Sequence, residues 1–384
     1  MKNYITLERR YGFDPYPKRD LVIVRGKGAR VWDAEGREYI DCVAGHGVAN
    51  IGHGNEKVVE AISEQARELI TCPGIFYNDK RALLLEKLIS IAPRNLSRAF
   101  LCNSGAEAVE GAIKFARFTT GRKEFIAAMK GFHGRTMGAL SATFNHRYRK
   151  DFEPLVPGFH FIPFNSLEGL REKVNERIAG IILEPVQGEG GVNIGRKEFF
   201  KEARRLCDKE GILLIIDEVQ TGFGRTGRMF AIEHFGIEPD IMCLAKAIGG
   251  GMPMGAVLCS HKVEIPKGRH GSTFGGNPLS CSSAIATIDF IVENDLPKKA
   301  EEKGDYFITK LRSYRLPKVR EIRNLGLMIG IELEEKVKPY LIRLMEEGVL
   351  ALPAGPRVIR LLPPLTITYE ELDLVVEKLV SVLG

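Results

Sequence analysis

The middle of the chain alternates short, wholly apolar runs with longer stretches whose apolar positions recur at helical spacing. Strands are expected at 97–102, 124–129, 178–184, 212–216 and 241–244, and helices at 81–91, 106–119, 166–177 and 197–210. Strands that are apolar throughout are typical of a parallel sheet buried on both faces. Regular alternation with helices indicates that helices cover both sides of the sheet. We therefore predict an α/β fold built on a large, mostly parallel sheet.

The two ends of the chain follow a different pattern. Residues 21–41 predict three short strands, with turns at Gly26-Lys27-Gly28 and Glu35-Gly36, and residues 45–55 read as a loop. Beyond about residue 290, helices at 296–313 and 335–348 flank short strands at 319–323, 326–333 and 358–362, and a last helix follows Thr368. This pattern predicts a small α+β unit. We expect an N-terminal segment at 1–45, a large domain at 46–290 and a C-terminal unit at 291–384.

Composition narrows the class of protein. The chain has 384 residues, of which 44% are apolar and 27% charged, and its net charge of +6 is compatible with an anionic cofactor and acidic partners. Seven cysteines without a C-x-x-C pair argue against a disulfide framework or a zinc site and favour a reducing, cytoplasmic compartment. The N-terminus lacks the apolar core of a signal peptide, and no apolar run approaches a membrane span. We expect no metal, membrane or nucleic-acid partner.

Two strand ends carry the candidate chemistry. The run 212–216 stops at Asp217, and the run 241–244 is followed by Lys246 and a glycine run, 249–251. Ligands of parallel sheets bind beyond the carboxyl ends of the strands, and a partly desolvated lysine is a better nucleophile. An acid and a lysine in these places suggest pyridoxal phosphate, with Lys246 as the Schiff-base residue and Asp217 on the ring nitrogen. The alternative is that Asp217 caps a helix and Lys246 is a solvated surface amine.

A third strand end has the features of an anion site. Ser104-Gly105-Ala106 lies between the strand at 97–102 and the helix at 106–119. Backbone N–H groups at a helix N-terminus bind phosphate, and Ser104 adds a hydroxyl group. The alternative is an ordinary helix N-cap with a tight turn.

Six short sequence motifs, in a fixed order along the chain, resemble those of a known family. They are CNSGAEAVEGAIKFAR, GFHGRT, EPVQGEGGV, DEVQTGFGRTG, AKAIGGGMPMGA and GSTFGGNPLS. From about Val31 to the C-terminus the chain resembles the class III aminotransferases, and most of all the branch that acts on acetylornithine and on lysine or ornithine bound to a carrier protein. The resemblance implies pyridoxal-phosphate fold type I, in which residues 1–45 and 291–384 pack together as one small domain.

The resemblance also implies roles for individual residues around the cofactor. Lys246 would carry pyridoxal phosphate, Asp217 would contact the ring nitrogen, and Phe132 would stack on the ring. Gln220 would bond the phenolic oxygen. The full set of cofactor-binding residues that it implies is Ser104, Gly105, Ala106, Phe132, Asp217, Glu218, Val219, Gln220, Lys246 and Thr273. Because the family's threonine in this loop reaches the neighbouring subunit's cofactor, Thr273 implies a homodimer with shared sites.

Four further residues are implied in substrate binding. Arg360 would bind the α-carboxylate of 2-oxoglutarate or glutamate, and Glu189 would neutralise Arg360 when an ω-amino donor occupies the pocket. Arg135 would form a second carboxylate fork, and Ser272 would lie beside the substrate. The residue-level alternatives are a surface arginine at 135, a loop carboxylate at 189 and a polar turn at 272–273.

The sequence therefore predicts ω-amino transfer to 2-oxoglutarate, giving a semialdehyde and glutamate, in lysine or arginine biosynthesis. The donor is carrier-bound lysine or ornithine, or N-acetylornithine. Free ornithine and 4-aminobutyrate are alternative donors, and an aminomutase or racemase on the same scaffold is an alternative activity. A non-catalytic phosphate- or nucleotide-binding protein is the alternative from another class. The loop AGHGVANIGHGN departs from the GGIAV-type loop of typical acetylornithine enzymes and leaves room for a bulkier acyl group. An acidic carrier protein could be steered by basic residues near the N-terminus: Arg9, Arg10, Lys18, Arg19, Arg25 and Lys27. The alternative is that these six basic residues are ordinary solvated surface residues with no partner.

Overall fold

A computed structural model describes residues 3–384, which form thirteen α-helices and seventeen strands. The helices are α1 Tyr4–Tyr11, α2 Ala44–Gly47, α3 Glu56–Glu68, α4 Asp79–Ile91, α5 Gly105–Thr120, α6 Met137–Ala142, α7 His146–Arg149, α8 Leu167–Lys173, α9 Lys197–Glu210, α10 Pro278–Glu293, α11 Leu296–Arg312, α12 Lys338–Glu346 and α13 Tyr369–Leu383. Within these residues, no helix combines the length and the apolar character needed to cross a membrane.

The strands form four sheets. They are β1 Ile23–Lys27, β2 Arg30–Asp33, β3 Glu38–Asp41, β4 Leu96–Cys102, β5 Glu124–Ala128, β6 Phe159–Ile162, β7 Ile178–Leu183, β8 Val186–Gln187, β9 Asn193–Ile194, β10 Leu213–Asp217, β11 Ile241–Leu244, β12 Gly255–Ser260, β13 Val319–Leu325, β14 Met328–Leu333, β15 Val349–Leu350, β16 Leu352–Ala354 and β17 Val358–Leu361. Three turns of 3-10 helix lie at Lys150–Phe152, Ala231–Phe235 and Lys246–Gly249.

The predicted α/β fold is confirmed by the central sheet of seven strands, in the order β4-β12-β11-β10-β7-β5-β6. Six strands are parallel to one another, and β12 runs antiparallel to both its neighbours. Every residue of β7, β10, β11 and β12 is buried, as expected for strands covered on both faces. The carboxyl ends of β4, β5, β7, β10 and β11 therefore meet at one edge of the sheet.

The two ends of the chain share a sheet. Strands β1, β2 and β3 form the predicted antiparallel unit, and β15 from the C-terminal part pairs with β3 in parallel. A second sheet, β13-β14-β17-β16, is wholly antiparallel. The last helix, α13, begins after Thr368 as expected, with a reciprocal capping box between Thr368 and Glu371. The domain boundaries at 45/46 and 290/291 remain predictions.

Three of the predicted segments have different bounds or a different conformation in the structure. Helix α8 ends at Lys173 rather than at 177, because Asn175 forms a turn in which its side chain and carbonyl accept N–H groups of Arg177 and Ile178. Helix α12 spans Lys338–Glu346 rather than 335–348, and Gly348 follows it with φ +86°. The expected loop at 45–55 contains the single turn α2, whose Gly45 and His46 have left-handed backbone angles.

Arg225 connects the strand-tip region with both ends of the chain. Its guanidinium is fully buried and donates to the carbonyls of Leu327 and Pro363 and to the side-chain oxygen of Asn50. Burial lowers the pKa of Arg225 to about 9. Because Asn50 precedes the large sheet and Pro363 follows β17, this one side chain fixes the C-terminal unit against the cavity described below.

The contact between α11 and the β13–β14 turn provides a test of this packing. A Cβ on Gly304 would lie 2.2 Å from the carbonyl oxygen of Gly326, so no side chain fits there. We expect Gly304→Ala to lower the free energy of unfolding by about 2 kcal/mol because it overpacks a backbone contact, although alanine favours helix by about 1 kcal/mol. Chemical denaturation measures this. Lys299→Ala, an exposed change on the same helix, should have little effect; equal stability of both variants would contradict the packing.

Candidate active site

A cavity of about 400 Å³ lies at the carboxyl ends of the parallel strands. Its volume falls in the range typical of sites for small molecules. The residues of the predicted site that line it are Ser104, Gly105, Ala106, Phe132, Glu189, Asp217, Val219, Gln220 and Lys246. These residues come from the ends of five different strands, so the sheet brings together positions up to 142 residues apart in the sequence.

Lys246 faces the cavity from the end of β11. It opens the 3-10 turn Lys246–Gly249 with a φ of +49°, a conformation that a residue with a side chain rarely adopts. Burial lowers the pKa of Lys246, the nearby carboxylates of Glu189 and Asp217 oppose this effect, and Arg360 adds to it, so that the net shift is downward. The strained, desolvated position makes the neutral amine more accessible than that of a surface lysine.

Asp217 ends β10 and is held by two hydrogen bonds. Its Oδ2 lies 2.7 Å from Nδ1 of His133, and its Oδ1 accepts the backbone N–H of Val219 at 3.0 Å. Both side chains are nearly inaccessible, with 5% of Asp217 and 1% of His133 exposed. Burial alone would lower the pKa of His133, but the hydrogen bond and charge of Asp217 outweigh it and raise the pKa. The carboxylate of Asp217 is therefore fixed in orientation.

The predicted anion site is the N-terminus of α5. Ser104 caps this sixteen-residue helix by accepting the N–H of Glu107 at 3.2 Å, and Gly105 and Ala106 form its first turn. A Cβ on Gly105 would fall 2.7 Å from a methyl carbon of Val219, so only glycine allows this approach to β10. The first turn leaves backbone N–H groups at the cavity wall, where the helix dipole favours an anion.

Arg360 and Glu189, the two residues that the resemblance pairs as a switch, form an ion pair. Nη1 of Arg360 lies 2.6 Å from Oε1 of Glu189 and 3.1 Å from Oε1 of Gln220. Arg360 is 1% exposed and stands behind the cavity wall that Glu189 and Gln220 form. Burial would raise the pKa of Glu189, but the charge and hydrogen bond of Arg360 outweigh it and lower the pKa. The lowered pKa keeps Glu189 in its carboxylate form, and this carboxylate faces the cavity.

Phe132 and Arg135 lie side by side at the edge of the cavity. Phe132 lines it, and its backbone N–H donates to Glu184 at 3.0 Å. Arg135 is exposed and does not line the cavity; its guanidinium packs 3.7 Å from the ring centre of Tyr148. Tyr148 in turn meets Phe132 edge to face at 6.1 Å. The structure therefore brings Arg135 near the site without placing it inside.

Three other predicted residues lie outside the cavity lining. The side chain of Glu218 points away from the cavity and accepts hydrogen bonds from the hydroxyl group of Thr221 and the backbone N–H of Ile232. Burial raises the pKa of Glu218 to about 7. Ser272 accepts the amide of Asn103, a cavity residue, at 3.1 Å. Thr273, next to it, is exposed. Within one chain, Ser272 reaches the site through its hydrogen bond with Asn103.

Sequence reasoning assigned no role to His133 and Glu184, yet both line the cavity. Glu184 directly follows β7 as Asp217 ends β10, and the two strands are neighbours, with Leu183 opposite Ile216. A carboxylate at the end of a predicted buried strand was the available signal for Glu184. His133 carried no such signal, because its contact with Asp217 joins residues 84 apart.

The groups in the cavity fit pyridoxal phosphate. The cavity offers an amine at Lys246, a fixed carboxylate at Asp217, an aromatic face at Phe132 and a helix N-terminus at Gly105 and Ala106. These are the partners that an aldehyde, a pyridinium nitrogen, a planar ring and a phosphate require. Glycine at 105 and the buried hydrogen bonds of Asp217 show that the arrangement is built into the fold rather than assembled from mobile surface groups.

Comparison with known proteins gives the family. Residues 14–383 match the model of the class III aminotransferases. A [LysW]-aminoadipate semialdehyde transaminase of Deinococcus radiodurans is 50% identical, over 99% of this chain and 90% of that protein. An acetylornithine aminotransferase of Methanocaldococcus jannaschii is 46% identical, over 98% and 97%. The structure of the Toxoplasma gondii ornithine aminotransferase is 34% identical, with a TM-score of 0.95 over 99% and 94%.

The six sequence motifs, the fold and the residues that line the cavity all agree with these matches. The family uses pyridoxal phosphate, and the reading as a non-catalytic phosphate- or nucleotide-binding protein is set aside. The chain belongs to the class III aminotransferases and is an enzyme of pyridoxal-phosphate-dependent amino transfer.

Proposed function

We propose that the enzyme moves the ω-amino group of a basic amino acid with a blocked α-amino group to 2-oxoglutarate, giving the semialdehyde and glutamate. The donor is lysine or ornithine on a carrier protein, or N-acetylornithine, and the reaction belongs to lysine or arginine biosynthesis. The observation that carries this proposal is the ion pair of Arg360 and Glu189 at the cavity wall. It suits a pocket that takes a dicarboxylate in one half of the reaction and an amine-ended chain in the other.

Lys246 and Asp217 have the central roles in the proposed mechanism. When bound, pyridoxal phosphate supplies an aldehyde to hold the amino group and a ring that withdraws electrons from the reacting carbon. Lys246 Nζ would hold the cofactor and, once a donor amine replaces it, take the proton from the donor's amine-bearing carbon. Asp217, fixed by His133, would keep the proton on the ring nitrogen. Ser104, Gly105 and Ala106 would bind the phosphate.

The other cavity residues would orient the groups that react. Phe132 would stack on the ring, Val219 would pack against its other side, and Gln220 would bond the phenolic oxygen. A hydrogen bond from Arg360 holds the side chain of Gln220 in place. Glycine at 188 leaves room for this side chain, because a Cβ there would lie 1.8 Å from Oε1 of Gln220. Arg135 at the cavity edge would bind a carboxylate of the donor, and Glu218 would support the strand end from behind.

The relatives and the pocket support a blocked donor. The names of the two relatives above give a semialdehyde attached to LysW in one case and acetylornithine in the other. The loop at 45–55 contributes His46, which has a left-handed backbone; partial desolvation and then the charge of Arg360 lower the pKa of His46. A neutral imidazole at this place adds a polar group without adding charge.

The N-terminal basic residues offer less steering charge than the sequence suggested. Arg9 pairs with Asp20, Lys18 with Glu8 and Asp14, and the Arg25 guanidinium packs 4.0 Å from the ring centre of Trp32. Arg19 donates to the carbonyl of Ala351. Of the six, only Arg9 and Lys18 form ion pairs within residues 3–384, and Arg10, Arg19, Arg25 and Lys27 form none. Docking of an acidic carrier at this segment stays a hypothesis for the salt test below.

We further propose that the enzyme is a cytoplasmic homodimer with shared sites. An apolar surface beside the site supports the dimer: Ile75 is 83% exposed and Tyr77 fully exposed, and Phe76 and Phe274 lie exposed with them. The loop that holds Phe274 also holds Ser272 and Thr273. A second copy packed on this surface would cover it and bring its Thr273 toward the cofactor phosphate. All seven cysteines are free, which suits the cytoplasm.

Replacement of Glu189 tests the switch. Glu189→Gln leaves Arg360 buried without an anion whenever an ω-amine is bound, so we expect the donor half-reaction to slow about a hundredfold. The half-reaction with glutamate, whose carboxylate itself pairs with Arg360, should stay within a few-fold of wild type. Both rates follow from the visible absorbance of the cofactor in single turnovers. Arg360→Met is the mirror variant and should show the opposite preference. Equal losses in both half-reactions would contradict the switch.

Mixed dimers test the shared site. A Lys246→Ala chain and a Thr273→Asp chain are each expected to be inactive alone. After random mixing, half of the dimers are heterodimers with one intact site, so about a quarter of wild-type activity should return. Subunit exchange is verified by mass spectrometry of the mixture. Exchange without recovered activity would show that Thr273 does not serve the neighbouring site.

A donor panel at two salt concentrations tests the proposed reaction. With 2-oxoglutarate as acceptor, a carrier-bound amine or N-acetylornithine should exceed free ornithine and 4-aminobutyrate in kcat/KM by at least roughly tenfold, because only a blocked donor fills the pocket. If an acidic carrier docks by charge, its apparent affinity falls sharply with salt while that of N-acetylornithine does not. Equal salt dependence favours N-acetylornithine. Preference for 4-aminobutyrate would overturn the proposed donor class.

A further inference from the structure

Arg81 is a half-buried arginine whose guanidinium contacts only backbone carbonyls. It lies in the first turn of α4. It donates to the carbonyl oxygens of Cys72 at 2.6 Å, of Phe76 at 2.9 Å and of Gly276 at 2.9 Å. Two lysines of the same helix form ion pairs, whereas Arg81 forms none within residues 3–384. Three of the five N–H groups of this guanidinium are therefore bonded to the backbone.

The three carbonyls belong to two segments that are far apart in the sequence. Cys72 and Phe76 lie between α3 and α4, whereas Gly276 lies 195 residues beyond Arg81, just before α10. A planar guanidinium presents its donors in a fixed fork, so it holds both segments in one relative position. Gly276 has a φ of +72°, and a Cβ there would lie 3.1 Å from Nε of Arg81. Glycine at 276 thus allows the close approach of the guanidinium.

Both segments carry the exposed apolar side chains that we propose to meet a second copy of the chain. Ile75, Phe76 and Tyr77 come from the segment at 72–77, and Phe274 comes from the loop at 272–276. Their side chains are exposed, but the backbone of both segments is bonded to Arg81. A surface whose backbone is already fixed loses less conformational entropy when a partner binds.

The loop that carries Thr273 is fixed on both sides of this residue. Before it, the hydroxyl oxygen of Ser272 accepts a side-chain amide of the cavity wall at 3.1 Å and the backbone N–H of Gly275 at 3.0 Å. After it, a Cβ on Gly275 would lie 2.3 Å from a carbonyl oxygen of β4, so the loop packs tightly on that strand. The contact between Arg81 and Gly276 ends the loop. Thr273 is thus held by its own chain and exposed to another.

We propose that Arg81 is a positioning residue for the active site of the neighbouring subunit. It fixes the segment at 72–77 against the loop at 272–276, and so sets both the surface on which the second copy packs and the direction in which Thr273 reaches that copy's cofactor phosphate. The inference rests on the homodimer with shared sites in the proposed function, and it holds for any amino donor. Loss of Arg81 should therefore impair the partner's site rather than the site of its own chain.

Two heterodimers, purified through a different affinity tag on each chain, test where the defect lies. The first pairs an Arg81→Met chain with a Lys246→Ala chain, so its working site takes Thr273 from a chain that retains Arg81. The second pairs a wild-type chain with a chain that carries both Arg81→Met and Lys246→Ala, so its working site takes Thr273 from a chain that lacks Arg81. Each heterodimer contains one Arg81→Met copy, and a general weakening of the dimer would affect both alike.

The measurement is the dissociation constant of pyridoxal phosphate, titrated into the cofactor-free heterodimers and followed by the visible band that only a chain with Lys246 gives. The reference is the heterodimer of wild-type and Lys246→Ala chains. We expect the second heterodimer to bind the cofactor at least roughly tenfold more weakly than the reference, because a displaced Thr273 loses its hydrogen bond to a charged phosphate. The first should match the reference within about twofold.

Matched variants separate the role of Arg81 from a general effect of the substitution. Arg315→Met, at an exposed arginine between α11 and β13, replaces Arg81→Met in both heterodimers and should leave both at the reference value. If the Arg81→Met chain does not assemble, Arg81→Lys is used in the same two heterodimers, because one ammonium group cannot span three carbonyls as the planar fork does. Weaker binding in the first heterodimer, or equal constants in both, would overturn the proposal.

A third heterodimer distinguishes failure of this inference from failure of the shared site. It pairs a wild-type chain with a chain that carries Thr273→Asp and Lys246→Ala. If this heterodimer binds the cofactor weakly and the second one does not, the shared site stands and the role of Arg81 is wrong. If neither is weakened, both are wrong. Absence of amino transfer by the wild-type enzyme would count against the proposed reaction alone, because the titration needs no turnover.

Discussion

The desolvation of one amine, Nζ of Lys246, is the constraint on which the rest of the site depends. A lysine at the surface would stay protonated and could not act as a nucleophile at neutral pH. In this structure Lys246 follows β11 in a left-handed conformation and faces the cavity at the carboxyl ends of the strands. Burial there lowers the pKa of Lys246. The parallel strands matter because their carboxyl ends place a carboxylate, a helix N-terminus and an aromatic ring around that amine.

In the proposed function, a second constraint is that the same cavity has to accept two substrates of different charge. An arginine held on a sheet and a carboxylate held on a loop would meet this constraint, provided that the carboxylate moves away from the arginine. Arg360 lies in β17, where pairing to β14 and β16 holds its backbone on both sides, whereas Glu189 lies on the glycine-bearing loop after β8. Because Arg360 also donates a hydrogen bond to Gln220, it would stay in place if Glu189 moved. The fixed partner is thus on the sheet and the movable one on the loop.

The sequence pattern was sufficient for the elements whose side chains repeat a simple environment. Apolar runs predicted β4, β5, β7, β10 and β11, and the capping residues at Ser104 and Thr368 marked the starts of α5 and α13. Strand β12 and helix α10 were not predicted, because the run GAVLCS is short and α10 is apolar on most of its surface and shows little periodicity. The candidate site was predicted where a residue ends a strand, as at Asp217 and Lys246. The contact of His133 with Asp217 and the position of Glu218 away from the cavity depend on side-chain direction, which spacing does not encode.

The most direct test of the central claim is to locate the amine that holds the cofactor. The enzyme saturated with pyridoxal phosphate is treated with borohydride, digested and examined by peptide mass spectrometry. Lys303 is an internal control, because it is also buried with its pKa lowered by burial, yet its Nζ donates to the carbonyl of Leu365 outside the cavity. The account predicts a cofactor adduct on the peptide containing Lys246 and none on that containing Lys303. An adduct elsewhere, or the same adduct pattern in Lys246→Ala, would contradict it.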